Sequence, residues 1–94
     1  MASSSSNGRL SAAELSQAAL ATVEQLTGYQ PEAVSALEWD GETWRVTVDA
    51  LELARIPNST DVLGSYVVQL DASGALRGYR RQRRFVRGQA EEEA

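Results

Sequence analysis

The sequence predicts an α+β domain in which one N-terminal helix packs on a four-stranded antiparallel meander sheet. Three observations lead to this prediction. A helical apolar period occupies the first third of the chain, a period of two follows it, and turn sequences separate four strand-like runs. A chain of 94 residues can bury one compact core, so we expect a single domain over residues 10–88.

The helix is predicted over residues 11–27 by its cap and its apolar stripe. Ser11 and Glu14 have the spacing of a capping box. Gly28 supplies a left-handed stop, and Pro31 prevents the helix from resuming. The stripe expected to face the sheet consists of Leu15, Ala19, Val23 and Leu26, with Leu20 beside it.

The first two strands, residues 33–39 and 43–54, flank an Asp-Gly dipeptide that favours a hairpin turn. A two-residue loop would pair Leu37 with Trp44, whereas a four-residue loop would pair Leu37 with Val46, so the register stays open. Both registers have the same parity and therefore place the same side chains toward the helix. These are Leu37, Trp39, Trp44, Val46 and Val48.

The apolar parity of the second strand changes beyond Val48, because Leu51 and Leu53 occupy odd positions. This change predicts a β-bulge near Asp49-Ala50, or a stretch in which both faces are covered.

Two more strands, residues 62–71 and 75–85, flank an Asp-Ala-Ser-Gly turn and complete the sheet. The connection before them, residues 55–60, has two interpretations. Arg55 either forms a structural ion pair with Asp61 or remains an unpaired surface arginine.

Charge is unevenly distributed along the chain, although the formal net charge is only −4. Residues 1–76 hold ten acidic residues and three arginines, and residues 77–87 hold six arginines and no acid. Residues 1–9 form a polar arm that we expect to be disordered, and residues 89–94 form an acidic tail that frays or folds back toward the arginines.

The composition excludes most catalytic chemistry. The sequence contains no cysteine and no histidine, so disulfides, imidazole catalysis and ordinary zinc sites are excluded. We therefore expect no enzyme, no catalytic residue, no cofactor and no metal. Solvated positions on strand faces or turns are expected for the carboxylates Glu38, Asp40, Glu42, Asp49, Glu52, Asp61 and Asp71.

Neither a membrane span nor an export signal is visible in the sequence. The longest apolar run is far shorter than the roughly 20 residues that a bilayer requires, and the N-terminus lacks a basic start and an apolar stretch. We expect a cytoplasmic protein that does not bind a membrane.

The strongest candidate site is the stretch RGYRRQRRFVRG, residues 77–88. We name its arginines the arginine strip: Arg77, Arg80, Arg81, Arg83, Arg84 and Arg87. Simple alternation places Arg77, Arg81, Arg83 and Arg87 on one face and Arg80 and Arg84 on the other. Tyr79 and Phe85 complete the predicted partner-binding set.

We rank three interpretations of the arginine strip by how its positive charge is distributed and which acids oppose it. A docking edge for acidic protein partners comes first, and internal ion pairs with Asp71, Glu52 or Asp49 come second. Nucleic-acid binding comes third, because the positive charge is divided between two faces and neighbouring acids compete for it.

The order of two motifs adds a resemblance to a known family. The first reads Arg55-Ile56-Pro57, then Asp61-Val62-Leu63 and Tyr66; the second reads Leu70-Asp71, Gly74, Tyr79-Arg80 and Arg84-Phe85-Val86-Arg87. This order resembles the gas vesicle protein O family over roughly residues 11–88.

The resemblance implies an accessory protein needed to form gas vesicles, which acts in assembly or as a minor vesicle component. It implies other gas vesicle proteins as partners, a vesicle-associated location, and no catalytic residue or cofactor. Two other classes stay open: a nucleic-acid-binding regulator that uses the arginine strip, and a small peptide-binding or ligand-binding module resembling PepSY domains. The oligomeric state is not predicted.

Overall fold

The computed structural model describes residues 10–88, which form one helix followed by four strands. The elements are α1 (Ala12–Thr27), β1 (Gln30–Trp39), β2 (Trp44–Leu53), a 3-10 turn (Asn58–Thr60), β3 (Val62–Leu70) and β4 (Leu76–Val86). The sheet order is β1-β2-β3-β4 and all neighbours are antiparallel, so the predicted α+β class and meander are confirmed. The predicted polar arm and acidic tail lie outside the described residues.

Helix α1 has the predicted caps. The Ser11 hydroxyl accepts a hydrogen bond from the Glu14 backbone N–H, the Glu14 carboxylate accepts one from the Ser11 N–H, and Gly28 ends the helix with a φ of 78°. Leu26, however, is 45% exposed, so its predicted place in the buried stripe is wrong. Its angular position lies within the stripe, and we infer that its place in the last turn exposes it.

The core lies between α1 and one face of the sheet. Its buried members are Leu15, Ala19, Val23, Val46, Val48, Ala50, Tyr66, Val68 and Leu70. Helix α1 makes its main contacts with β1, β2 and β3. Strand β4 therefore extends the sheet beyond the area that the helix covers.

The first hairpin has the longer of the two predicted loops, since Leu37 pairs with Val46 and Trp39 pairs with Trp44. The Asp40 carboxylate stabilises this loop by accepting hydrogen bonds from the backbone N–H groups of Glu42 and Thr43. Both Leu37 and Trp44 pack against the core. Trp39 is 41% exposed, and its ring centroid lies 5.2 Å from that of Trp44.

The bulge predicted near Asp49-Ala50 lies instead at Glu52, where the pairing of β2 with β3 shifts. Leu51 pairs with Leu63 in regular register, and Leu63 pairs with Phe85. These three side chains form an apolar row on the face away from α1, which we call the open face. The parity change at Leu51 therefore needs no bulge.

Candidate functional site

The arginine strip lies on β4, whose pairing with β3 shifts between Ser65 and Tyr66. Tyr66 is opposite Arg81, and Ser65 is opposite Arg83, so Gln82 is an extra residue in β4. A bulge of this kind reverses the alternation of the residues that follow it.

The predicted division of the arginine strip between two faces is therefore wrong. Arg81 and Arg84 lie opposite Tyr66 and Gly64 on the helix side, while Arg80 and Arg83 lie opposite Val67 and Ser65 on the open face. Facing residues of paired strands share a face, so the bulge separates the strip into these two pairs.

The helix-side pair converges on a single carboxylate, that of Glu52. This side chain is only 3% exposed, and it accepts hydrogen bonds from Tyr66 Oη at 2.6 Å, Arg84 Nε at 3.0 Å and Arg81 Nη1 at 3.1 Å. Gly64 makes this arrangement possible, since a Cβ at that position would collide with the Glu52 carboxylate. The expectation that Glu52 is solvated is wrong, whereas its pairing with the arginine strip is confirmed.

The environment of Glu52 fixes its charge state. Burial raises the pKa of its carboxyl group, but the hydrogen bonds from Tyr66 and Arg84 and the positive charge of Arg81 outweigh burial and lower the pKa below its ordinary value. Burial and the neighbouring carboxylate raise the pKa of Tyr66, which therefore stays protonated as a donor. The cluster is an ionised acid held by two cations and a neutral phenol.

Arg87 forms a second internal cluster at the end of β4. Its guanidinium lies 2.8 Å from the Glu32 carboxylate and 3.0 Å from the Asp61 carboxylate. The hydrogen bond to Glu32, together with the one to Asp61, raises the pKa of Arg87. These contacts join the beginnings of β1 and β3 to the end of β4. Like Glu52, Asp61 is buried and does not have the solvated position expected for it.

The predicted ion pair between Arg55 and Asp61 does not form. Asp61 Oδ1 instead accepts a hydrogen bond from the Arg55 backbone N–H at 2.8 Å, and the other carboxylate oxygen binds Arg87. The backbone N–H of Arg55, and not its side chain, is thus the group that binds Asp61 and joins the two ends of the connection.

Arg77, Arg80 and Arg83 differ from the other three arginines. Within residues 10–88, none of them has a carboxylate at salt-bridge distance. They act on acids at longer range. Hydrogen bonds from Ser73 and Ala75 lower the pKa of Asp71, and the charge of Arg77 adds to this effect. Burial raises the pKa of Asp49, and the charge of Arg83 partly opposes that rise. These three guanidinium groups form the basic surface that remains available.

The two predicted aromatic residues lie on different faces. Tyr79 is opposite Val68 on the helix side and is 42% exposed, because α1 does not cover β4. Phe85 lies on the open face, where the Arg83 guanidinium carbon is 4.8 Å from its ring centroid. This contact already covers part of the ring that base stacking would require, so it does not favour the nucleic-acid interpretation.

The open face carries two shallow hollows lined mainly by polar side chains. Their walls include Thr47, Arg80, Gln82 and Arg83. A deep apolar pocket would have favoured a ligand-binding module of the PepSY type. These two hollows are shallow and mainly polar, so they do not favour it.

Among residues 10–88, no group of three acidic side chains is arranged to hold a metal ion. No helix of the described chain combines the length and the apolar character needed to cross a membrane.

The family model described as gas vesicle synthesis protein GvpO matches residues 1–91. The chain belongs to the gas vesicle protein O family. This membership confirms the resemblance carried by the motifs of β3 and β4.

Three curated relatives, named gas vesicle protein O or O1, give the extent of the similarity. The chain is 47% identical to a Streptomyces relative over 78% of its own length, 34% to one from Haloferax mediterranei over 74%, and 33% to one from Halobacterium salinarum over 74%. The matches cover 57%, 51% and 59% of those relatives, so the chain spans a little more than half of their length. No solved structure matches the chain.

Proposed function

We propose that this member of the gas vesicle protein O family is an accessory protein in gas vesicle formation. It acts without catalysis, as an assembly adaptor or a minor vesicle component, through contacts with other vesicle proteins. Membership of the gas vesicle protein O family and the names of the relatives support the connection to gas vesicles. The absence of histidine, cysteine and lysine supports a role without catalysis.

One observation supports docking most strongly: Arg77, Arg80 and Arg83 lie on an edge strand without an acid at salt-bridge distance in residues 10–88. Uncompensated surface charge attracts a partner of opposite sign and increases the rate of encounter. The paired arginines Arg81, Arg84 and Arg87 stabilise the domain, and the three free ones bind the partner.

The proposed partners are the shell subunit of the vesicle or its accessory proteins, which places the protein in the cytoplasm on forming vesicles. The body of the domain is acidic and β4 is basic, so one molecule offers two surfaces of opposite charge. Such a molecule can bring together two components that do not bind each other directly.

A gene deletion in a vesicle-forming host tests this proposal. We expect electron microscopy to show few or no vesicles, and we expect the wild-type gene to restore them. The double substitution Arg80→Ala, Arg83→Ala should restore them poorly, whereas Arg55→Ala, which removes an exposed arginine outside β4, should restore them fully.

Two results would contradict the proposal. Normal vesicle numbers without the gene would remove the role in vesicle formation. Full rescue by the double variant, together with unchanged recovery of other vesicle proteins in a pull-down, would remove the role of the basic surface.

A further inference from the structure

The outer edge of β4 is open. Strand β4 is last in the sheet order, and within residues 10–88 it pairs with β3 alone. An edge strand presents unpaired backbone N–H and C=O groups that can bind a further strand. The opposite edge, β1, is less suited to this because it contains Pro31, which has no N–H to donate.

The two faces of this edge differ in chemistry. On the open face, Arg80 and Arg83 have no carboxylate at salt-bridge distance in the described chain. On the helix side, Leu76 and Tyr79 are 45% and 42% exposed, because α1 packs mainly on β1, β2 and β3. Arg81 and Arg84 follow them on the same side, where Glu52 holds both guanidinium groups. A strand added here would place alternate side chains against the basic pair Arg80 and Arg83 on the open face and the apolar pair Leu76 and Tyr79 on the helix side.

We propose that β4 binds an extended acidic segment of another vesicle protein as a fifth antiparallel strand. Acidic side chains on one face of the segment pair with Arg80 and Arg83, and apolar side chains on its other face cover Leu76 and Tyr79. The backbone hydrogen bonds supply affinity, and the alternation of acidic and apolar residues supplies specificity.

A second copy of this chain fits the edge poorly. Pairing β4 with another β4 would place arginines opposite arginines, and like charges directly opposite each other destabilise a sheet. The same charges keep the edge from pairing with itself and select an acidic partner.

This inference rests on the proposed function, since it specifies the mode by which the same surface docks. The first probe is a synthetic peptide that alternates glutamate and valine. One control peptide has the same composition with its glutamates and valines in separate blocks, and another replaces glutamate by lysine. Affinity is measured by fluorescence anisotropy with the full chain at about 0.15 M ionic strength.

We expect the alternating acidic peptide to bind at least about tenfold more tightly than either control. Substituting Arg80→Glu and Arg83→Glu together should weaken binding about tenfold or more, while the matched change Arg55→Glu in the connection should have little effect. Circular dichroism confirms that the variants are folded. Equal binding of the three peptides, or no binding of any, would overturn the proposal.

Amide hydrogen exchange measured by NMR distinguishes strand addition from a contact through side chains alone. On binding the alternating peptide, amides of β4 that point away from β3 should exchange at least about tenfold more slowly. Unchanged exchange in β4 would overturn strand addition even if the peptide binds. That result would leave the proposed function intact, whereas normal vesicles after gene deletion would reject the function and not the binding mode.

Discussion

At the scale of single residues, the site depends on Glu52 and the glycine beneath it. Burial of a carboxylate is unfavourable unless its hydrogen bonds are made, and Glu52 has three donors from two strands. Gly64 leaves the space that the carboxylate occupies. The same acid that stabilises the sheet also neutralises part of the arginine strip.

Replacing Glu52 by Gln should lower the free energy of unfolding by about 1 to 3 kcal/mol at neutral pH, because two charge-assisted hydrogen bonds weaken. The pKa of Glu52 is lowered in the folded state, so its contribution is present above the pKa of the unfolded chain and is lost as the pH falls through the folded value. Urea unfolding of both proteins should show the difference closing at acidic pH. The control Glu42→Gln, at an exposed turn, should change little, and a gap that persists at low pH would contradict the assignment.

Replacing Gly64 by Ala should displace the Glu52 carboxylate from its hydrogen-bonding position. We expect a loss of about 1 to 3 kcal/mol, similar to the loss of Glu52 itself. Combining Gly64→Ala with Glu52→Gln should therefore cost less than the sum of the two single changes. Gly78→Ala is the control, since a Cβ there meets Gln69 Oε1 at an ordinary 3.6 Å, and an equal loss at both glycines would contradict this explanation.

At the scale of elements, β4 combines a structural role with the proposed binding role. The bulge at Gln82 directs Arg81 and Arg84 toward Glu52 and leaves Arg80 and Arg83 on the open face. The four side chains belong to one short segment, yet their surroundings differ completely. Their contributions to stability and to binding should therefore separate.

Substituting Arg81 and Arg84 together by alanine should destabilise the domain by about 1 to 3 kcal/mol, because Glu52 stays buried without its cations. Substituting Arg80 and Arg83 by alanine should change stability by less than about 0.5 kcal/mol, as for other exposed side chains. Thermal and urea unfolding of the two double variants measure this contrast. Equal losses would show that the bulge does not divide the strip as described.

At the scale of the whole molecule, charge determines which partners are suitable. Three arginines of the strip have no carboxylate at salt-bridge distance among residues 10–88, and they belong to a chain whose formal net charge is −4. A polyanion such as DNA meets the acidic body as well as the basic edge, whereas a short acidic segment meets the edge alone. The protein is therefore suited to local recognition of acidic peptides.

Duplex DNA should not be retarded by the protein in an electrophoretic mobility experiment at about 50 mM salt. The physical reason is that only three of the six arginines in the strip lack a carboxylate at salt-bridge distance within residues 10–88, and the acidic body repels phosphates. A clear shift that weakens steeply as salt rises, and that Arg80→Ala with Arg83→Ala abolishes, would instead support the nucleic-acid interpretation.

The sequence by itself determined the element order and the class of the fold. The capping box, Gly28 and the alternating apolar residues are local signals, and each acts within a few residues of the backbone that it orders. The motifs of β3 and β4 likewise sufficed for the resemblance to the family.

The tertiary structure alone decided how the arginine strip is divided. The bulges at Glu52 and Gln82 depend on which residues of β3 lie opposite, and alternation within one strand cannot reveal them. The ion pairs of Glu52 join residues 29 and 32 positions apart, so no local spacing predicts them. The sequence shows that six arginines lie in the strip, and only the packing of all four strands shows which of them have no carboxylate at salt-bridge distance among residues 10–88.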